Sequence, residues 1–203
     1  MINRCNFLIL IFVSVMTPGC AINTVPAVDS YMINISCGVE IPSGKNSESS
    51  KVLKISRPKS IAAIMSRNIL YQEKEFVRNP YASSKWRDTP NKMLASLFLS
   101  CINKSSVFTS VLPSYSRGKA DLLLESTLLD FYHHVNSDGS SEGRVRIRFY
   151  LIESKSRKVV ATNEFDSKID SKTLDVNGGV MAINDASKSV ALSLTRWLSS
   201  LDD

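Results

Sequence analysis

Histidine is nearly missing from this chain of 203 residues. The only two, His133 and His134, are adjacent, so any Ser/His/Asp or Cys/His catalytic system would have to draw on one of them. No Gly-x-Ser-x-Gly elbow accompanies them, and the polar stretch that follows, residues 133–143, predicts an exposed hairpin loop with a turn at Asp138-Gly139. Cysteine is scarce as well: four residues, no Cys-x-x-Cys pair and no Cys/His cluster, which argues against a structural zinc site. Glycine is thin, and Gly178-Gly179 lacks the second glycine pair and the Lys-Ser/Thr that would complete a phosphate-cradling loop. Asp121, Glu125 and Asp130 are spread along one segment rather than converging on a metal. No catalytic residue, metal ligand or cofactor is therefore expected, and the chain reads as a non-enzyme.

Long hydrophobic runs are also missing, with one exception. Residues 7–15 (FLILIFVSV) follow Arg4 and end at Met16-Thr17-Pro18-Gly19-Cys20. Such a run is too short to span a bilayer as a mature helix and reads as an export signal. Gly19 directly before Cys20 matches a bacterial lipoprotein signal, in which Cys20 is acylated and becomes the first mature residue. Thr17 stands where Leu is usual, and an ordinary secretory signal that leaves Cys20 a plain thiol is the other reading. Either way the mature chain leaves the cytoplasm, which argues against nucleic acid as a partner. The net charge of +6 falls to +5 when Arg4 leaves with the signal, a scattered excess that by itself points to no anionic partner.

What remains suits one globular domain: residues 1–19 as signal, 20–30 as tether and 31–203 as the folded part. Its organising element is a helix. Pro90 sits at a first helical position behind Asp88 or Thr89 as N-cap, and Met93, Leu94, Leu97, Phe98, Cys101 and Ile102 form a stripe down one side. Strands are predicted at 31–35, 52–55, 68–73 and 107–111, with 61–65 either a strand or a single turn. Residues 81–86 read as a polar segment leading to the helix, and 121–131 as a long central strand. Residues 144–151 give the clearest alternation: Val145, Ile147, Phe149 and Leu151 on one face, Arg144, Arg146, Arg148 and Tyr150 on the other. A paired strand follows at 158–166, and a second amphipathic helix starts at Val180. The expected class is α+β: two layers, a mixed or mostly antiparallel sheet with two amphipathic helices packed on one face.

Two features invite binding roles. The guanidiniums of Arg144, Arg146 and Arg148 share one strand face and could meet lipid phosphates, an acidic partner, or carboxylates such as Glu164 and Asp166 across the hairpin. Tyr81 and Trp86 stand ahead of the helix, either exposed to a partner or packed over the helix start. Cys37 and Cys101 could pair in an oxidising compartment, or Cys101 could remain a small apolar residue of the helix stripe.

Tyr31-Met32-Ile33, the run from Tyr81 through Trp86 to Pro90, Phe108-Thr109-Ser110-Val111, and the run from Ala120-Asp121 through Leu124, Leu128 and Asp130 to Phe131 together resemble one family. It is the ABC-type transport auxiliary lipoprotein family, which includes the paraquat-inducible protein C type. Ser126 stands where that family often has Gly. The resemblance implies a lipoprotein held by Cys20 at the outer membrane and facing the periplasm, with Ala21 after Cys20 fitting that sorting. It also implies work with an MCE-domain (mammalian cell entry) protein and an inner-membrane ABC transporter in moving phospholipid between membranes. A homo-oligomer stacked on an MCE ring would suit that geometry. A lipoprotein of a secretion or envelope-assembly apparatus is the competing reading. A periplasmic enzyme would need His133 or His134 buried and partnered.

Overall fold

The structure is a computed structural model that describes residues 27–37 and 49–201. The signal, Cys20 and most of the Gly-rich stretch after Cys37 lie outside the described residues. In chain order the elements are β1 (Asp29–Tyr31), β2 (Ser49–Ile55), β3 (Asn68–Lys74), β4 (Val77–Trp86), α1 (Pro90–Lys104), β5 (Phe108–Pro113), β6 (Leu122–Val135), β7 (Ser141–Glu153), β8 (Val159–Asp170) and α2 (Val176–Ser199). All eight strands join in one mixed sheet.

The sheet is built around β6. One edge of β6 pairs antiparallel with β7 from Leu122↔Glu153 to Val135↔Ser141, and β7 pairs antiparallel with β8. The other edge is shared. β2 runs parallel to its first residues (Leu53↔Leu122), and β3 runs parallel to its last (Tyr71↔His133). Between them the Lys59 amide donates to the Ser126 carbonyl, and the Leu128 amide donates to the Lys59 carbonyl. β5 extends the sheet beyond β2, and β4 and then β1 extend it beyond β3. The class is α+β, as expected, with the helices covering one face: α2 lies on β6, β7 and β8, and α1 packs against β5 and α2.

The core follows the alternation in β7. Val145, Ile147 and Phe149 are fully buried against Val190, Leu194 and Leu198 of α2 and the stripe of α1. Phe98 of α1 meets Phe149 edge-on, with ring centroids 5.4 Å apart. Two glycines let α2 lie close to the sheet. A Cβ at Gly143 of β7 would sit 2.3 Å from the Ile183 amide nitrogen, and one at Gly179 would sit 2.5 Å from His133 Nδ1. Neither position tolerates a side chain without moving the helix.

Several expectations change. The first strand is only Asp29–Tyr31, because residues 32–35 leave the sheet and bond to α2 instead: the Asn34 amide donates to Asn184 Oδ1 (2.7 Å), and Asn184 Nδ2 donates to the Met32 carbonyl. Residues 61–65, left open between a strand and a single turn, take the turn. Residues 81–86 are the second half of β4, not an irregular segment. α2 begins at Val176 rather than Val180, since Asp175 caps it by accepting from the Gly178 amide at 3.0 Å. β6 continues to Val135, so the histidines lie on a strand and the loop is confined to residues 136–140.

Cys37 and Cys101 are joined by a disulfide, with Cα atoms 5.3 Å apart. The bridge ties the segment after β1 to the last turn of α1 and closes a loop with a sequence separation of 64. Chain-entropy arguments assign such a loop about 4 kcal/mol, less any native strain. Replacing both cysteines by serine is expected to lower the urea-unfolding free energy by about 2–4 kcal/mol, and chemical denaturation of the oxidised and substituted proteins measures it.

Candidate functional site

The face of the sheet opposite the helices carries a charged network laid out by strand register. Arg144, Arg146 and Arg148 of β7 point to this face, opposite Lys168, Asp166 and Glu164 of β8. Each arginine meets a carboxylate of its own chain. Arg144 Nε donates to Glu142 Oε1 at 2.5 Å, Arg146 Nε to Asp130 Oδ2 at 2.7 Å, and Arg148 Nε to Glu164 Oε2 at 2.8 Å. Arg146 also lies 3.7 Å from Glu164, and Arg78 from β4 reaches the second oxygen of Asp130 at 2.6 Å. The result is a chain of alternating charges: Arg78, Asp130, Arg146, Glu164, Arg148. The Asp130 hydrogen bond holds Arg146 above its ordinary guanidinium value, and the Glu164 bond does the same for Arg148. Arg78 lies over the Tyr132 ring, 3.9 Å from its centroid, and covers it so that Tyr132 is buried on this otherwise solvated face.

The second polar cluster is internal. His133 is fully buried, with its ring under the first turn of α2 against Gly179. Its Nδ1 lies 2.8 Å from the Tyr81 hydroxyl, while Nε2 has no hydrogen-bond partner among the described residues. Tyr81 in turn packs on Tyr71, with the rings tilted and their centroids 4.7 Å apart. Burial pushes the Tyr81 phenol up to about 12, reinforced by the nearby Tyr71, Asp175 and Glu73. Burial also lowers the His133 value, against the opposing pull of Asp175. His134, on the other face, is lowered by burial and then by Arg144.

The exposed-loop reading of the histidines is thus corrected: His133 is a core residue and His134 is partly covered. A β-bulge between Leu128 and Asp130 is the reason. It shifts the phase of β6, so that Phe131 and His133 face the helices with Leu124 and Leu128, while Asp130 and Tyr132 face out. His133 meets the condition set for an enzyme, buried and partnered, yet no part of its ring reaches solvent. The Tyr81–His133 pair holds β4 to β6.

Trp86 is corrected as a partner-facing residue. It is 1% exposed and packs on Phe131, with centroids 5.5 Å apart, beneath the turn that starts α1. Tyr81 is half-buried by His133 and Tyr71. Two polar contacts, one buried and one at the surface, lay beyond sequence reasoning. Asn91 is buried in the first turn of α1 and donates to the Pro58 carbonyl, and Asp121 accepts from the Val52 amide at 2.8 Å. An open groove of about 250 Å³ runs between α1 and the end of β5, past Arg57, Asp88, Lys92 and Tyr115. No group of His, Cys, Asp and Glu among the described residues is arranged to hold a metal ion.

No protein-family model and no curated protein matches the sequence. Solved structures do match its fold. A Xanthomonas campestris protein of family DUF330 superposes with a TM-score of 0.72 at 16% identity, over 85% of this chain and 94% of its own. A protein described only as uncharacterized does so with a TM-score of 0.64 at 10% identity, over 85% of this chain and 99% of its own. At such identities the likeness establishes the fold: this is an α+β domain of the architecture seen in the DUF330 protein.

Two predictions follow from the internal contacts. A His133 value depressed in the folded state means that the unfolded chain takes up the proton first. Stability should therefore fall as pH drops below the ordinary value of 6.5, and should be insensitive to His133 above it. Urea midpoints measured from pH 8 to pH 5 should fall less steeply for His133→Asn than for the native chain, and the slope that remains should shrink further on His134→Asn. Trp86→Ala removes the tilted ring contact with Phe131 from a closed core and should cost about 3–5 kcal/mol in the same assay.

Proposed function

We propose that this protein is an exported lipoprotein, acylated at Cys20 and held on the periplasmic side of the outer membrane. There it serves as a non-catalytic auxiliary component of an MCE/ABC-type phospholipid transport system. The observation that carries the reading is the pairing of an export signal ending in Gly19-Cys20 with a domain whose family-like positions cluster in one structural unit. Tyr81 and Trp86 of β4, Pro90 at the start of α1, and Leu124, Leu128 and Phe131 of β6 touch one another or neighbouring core, and Asp130 ties β6 to β4 and β7 on the outer face. A resemblance written into contacts of this kind is one of architecture. The fold shared with the DUF330 protein supports it at that level.

The docking surface in this reading is the outer sheet face with Arg144, Arg146 and Arg148. Its charges alternate in sign, so a partner would recognise it by register of opposite charges, and association would weaken with salt. An inner-membrane ABC transporter would be reached through the MCE-domain protein.

The test is affinity capture of the full acylated chain from detergent-solubilised envelopes of the source cells. Recovery of an MCE-domain protein, lost on charge reversal of Arg146 and Arg148, is the expected result. Because those arginines pair at a solvated surface, Arg146→Ala alone should change folding stability by no more than about 1 kcal/mol, so lost capture would report the interface. Recovery of secretion or envelope-assembly components would transfer the protein to that class of lipoprotein. A Cys20→Ser chain that stays membrane-bound would overturn the anchor.

A further inference from the structure

The tip of the β3–β4 hairpin is the most exposed apolar feature of the described chain. Lys74 pairs with Val77, leaving Glu75 and Phe76 as the turn. Phe76 is 90% exposed and holds a left-handed backbone with φ of 64°; Val77 beside it is 44% exposed. A bulky side chain at positive φ is uncommon, since Gly or Asn would fill such a turn without steric cost. Neither the backbone nor the core asks for phenylalanine here.

Strand register places this tip. Tyr71 is level with His133, so the hairpin projects past the end of β6 where the 136–140 loop lies, opposite the β7–β8 turn beside Leu122. β8 also ends there, and Leu174 just beyond it is 52% exposed. β1 enters the sheet from the same end. β1 is parallel to β4 with Asp29 beside Ser84, so going back from Asp29 the chain heads toward the start of β4 and the hairpin tip. The tip lies eight residues from Ser84 along β4, about 26 Å at strand rise. Cys20 precedes Asp29 by nine residues, a reach of at most about 32 Å. A membrane anchored through Cys20 must therefore lie close against the domain, and the exit direction selects the hairpin end over the far end, where Val159 and Val160 are exposed.

We infer that Phe76 and Val77 insert into the acyl-chain border of the bilayer that holds the N-terminal lipid, fixing the domain with β6 running toward the membrane; this rests on the lipoprotein reading above. The tip offers no excess cation: Glu73 and Glu75 outnumber Lys74, and Arg78 is tied to Asp130. The contact is accordingly apolar, independent of anionic headgroups and of salt. One aromatic adds little to an acyl anchor's hold. What it supplies is orientation, which keeps the charged sheet face upright and accessible.

The experiment uses the full chain purified from membranes, carrying Phe76→Cys or, at the opposite end, Lys155→Cys. With Cys37 and Cys101 in their disulfide, the new thiol takes an environment-sensitive fluorophore. Reconstituted in phosphatidylcholine vesicles, the label at position 76 should shift its emission to the blue and be quenched several-fold more by acyl-brominated lipid than the label at 155. Adding phosphatidylglycerol or high salt should change neither. Equal quenching at the two positions, or quenching at 76 that needs phosphatidylglycerol and vanishes in salt, overturns the inference. Mass spectrometry of the Cys20 peptide separates the two levels. An acylated chain with equal quenching removes the insertion alone, whereas a chain without acyl groups removes the lipoprotein reading and the insertion with it.

Discussion

The structure depends on both edges of β6 being filled. A central strand of 14 residues presents backbone donors and acceptors to each side, and each one left unpaired in the interior would cost free energy comparable to a lost hydrogen bond. β7 fills one edge over its whole length. The other edge needs two strands, β2 for the first part and β3 for the last, with Lys59 bonding between them. That division explains why residues 61–65 turn away from the sheet: the chain steps off the edge of β6 and returns to it at β3. It also explains the fork, with β5 hung on β2 and β4 on β3. The two branches are bound to each other chiefly through β6 and the helices.

Helix α2 imposes the second constraint. Gly143 and Gly179 bring its backbone onto the sheet, and His133 fills the space beneath its first turn. A helix N-terminus disfavours a cation, which agrees with a ring kept neutral by burial. The polar pair Tyr81–His133 then does in the core what a larger apolar residue would do less specifically. It fixes β4 against β6 at the place where direct pairing has passed to β3. The Asp130 side chain repeats that connection on the outer face through Arg78 and Arg146, so β4, β6 and β7 are linked on both sides of the sheet.

Elements with one wet and one dry face were legible from sequence. α1 shows its stripe and its Pro90 start, and β7 shows a strict alternation, because each buries a single face. β4 was not, since its first residues, including Pro80, are exposed on both faces and leave no hydrophobic period. The C-terminal half of β6 misled for a different reason. Its last residues are polar and run into the Asp138-Gly139 turn, so they read as loop, while the bulge at Leu129 changes the face of every later side chain and turns His133 into the core. The glycines of α2 read as loop because helix propensity disfavours them, whereas helix-to-sheet contact requires Gly179. The arginine face was visible, but not the partners: Asp130 and Glu142 replace the expected Asp166, a choice set by register and side-chain length.

The positions that carry the family resemblance hold the fold together. Trp86 and Phe131 pack ring against ring inside, Tyr81 braces His133, Asp121 ties the start of β6 to β2, and Pro90 starts α1. None of these contacts can distinguish one partner or cargo from another, because their chemistry is spent inside the chain. In the proposed function, specificity would therefore lie in surfaces that the fold leaves unconstrained: the charge order across β7 and β8, and the hairpin beyond Lys74. Phe76 is the sharpest case. It is exposed and takes a left-handed backbone, so nothing inside the domain accounts for it, whereas a residue such as Trp86 needs nothing beyond the core.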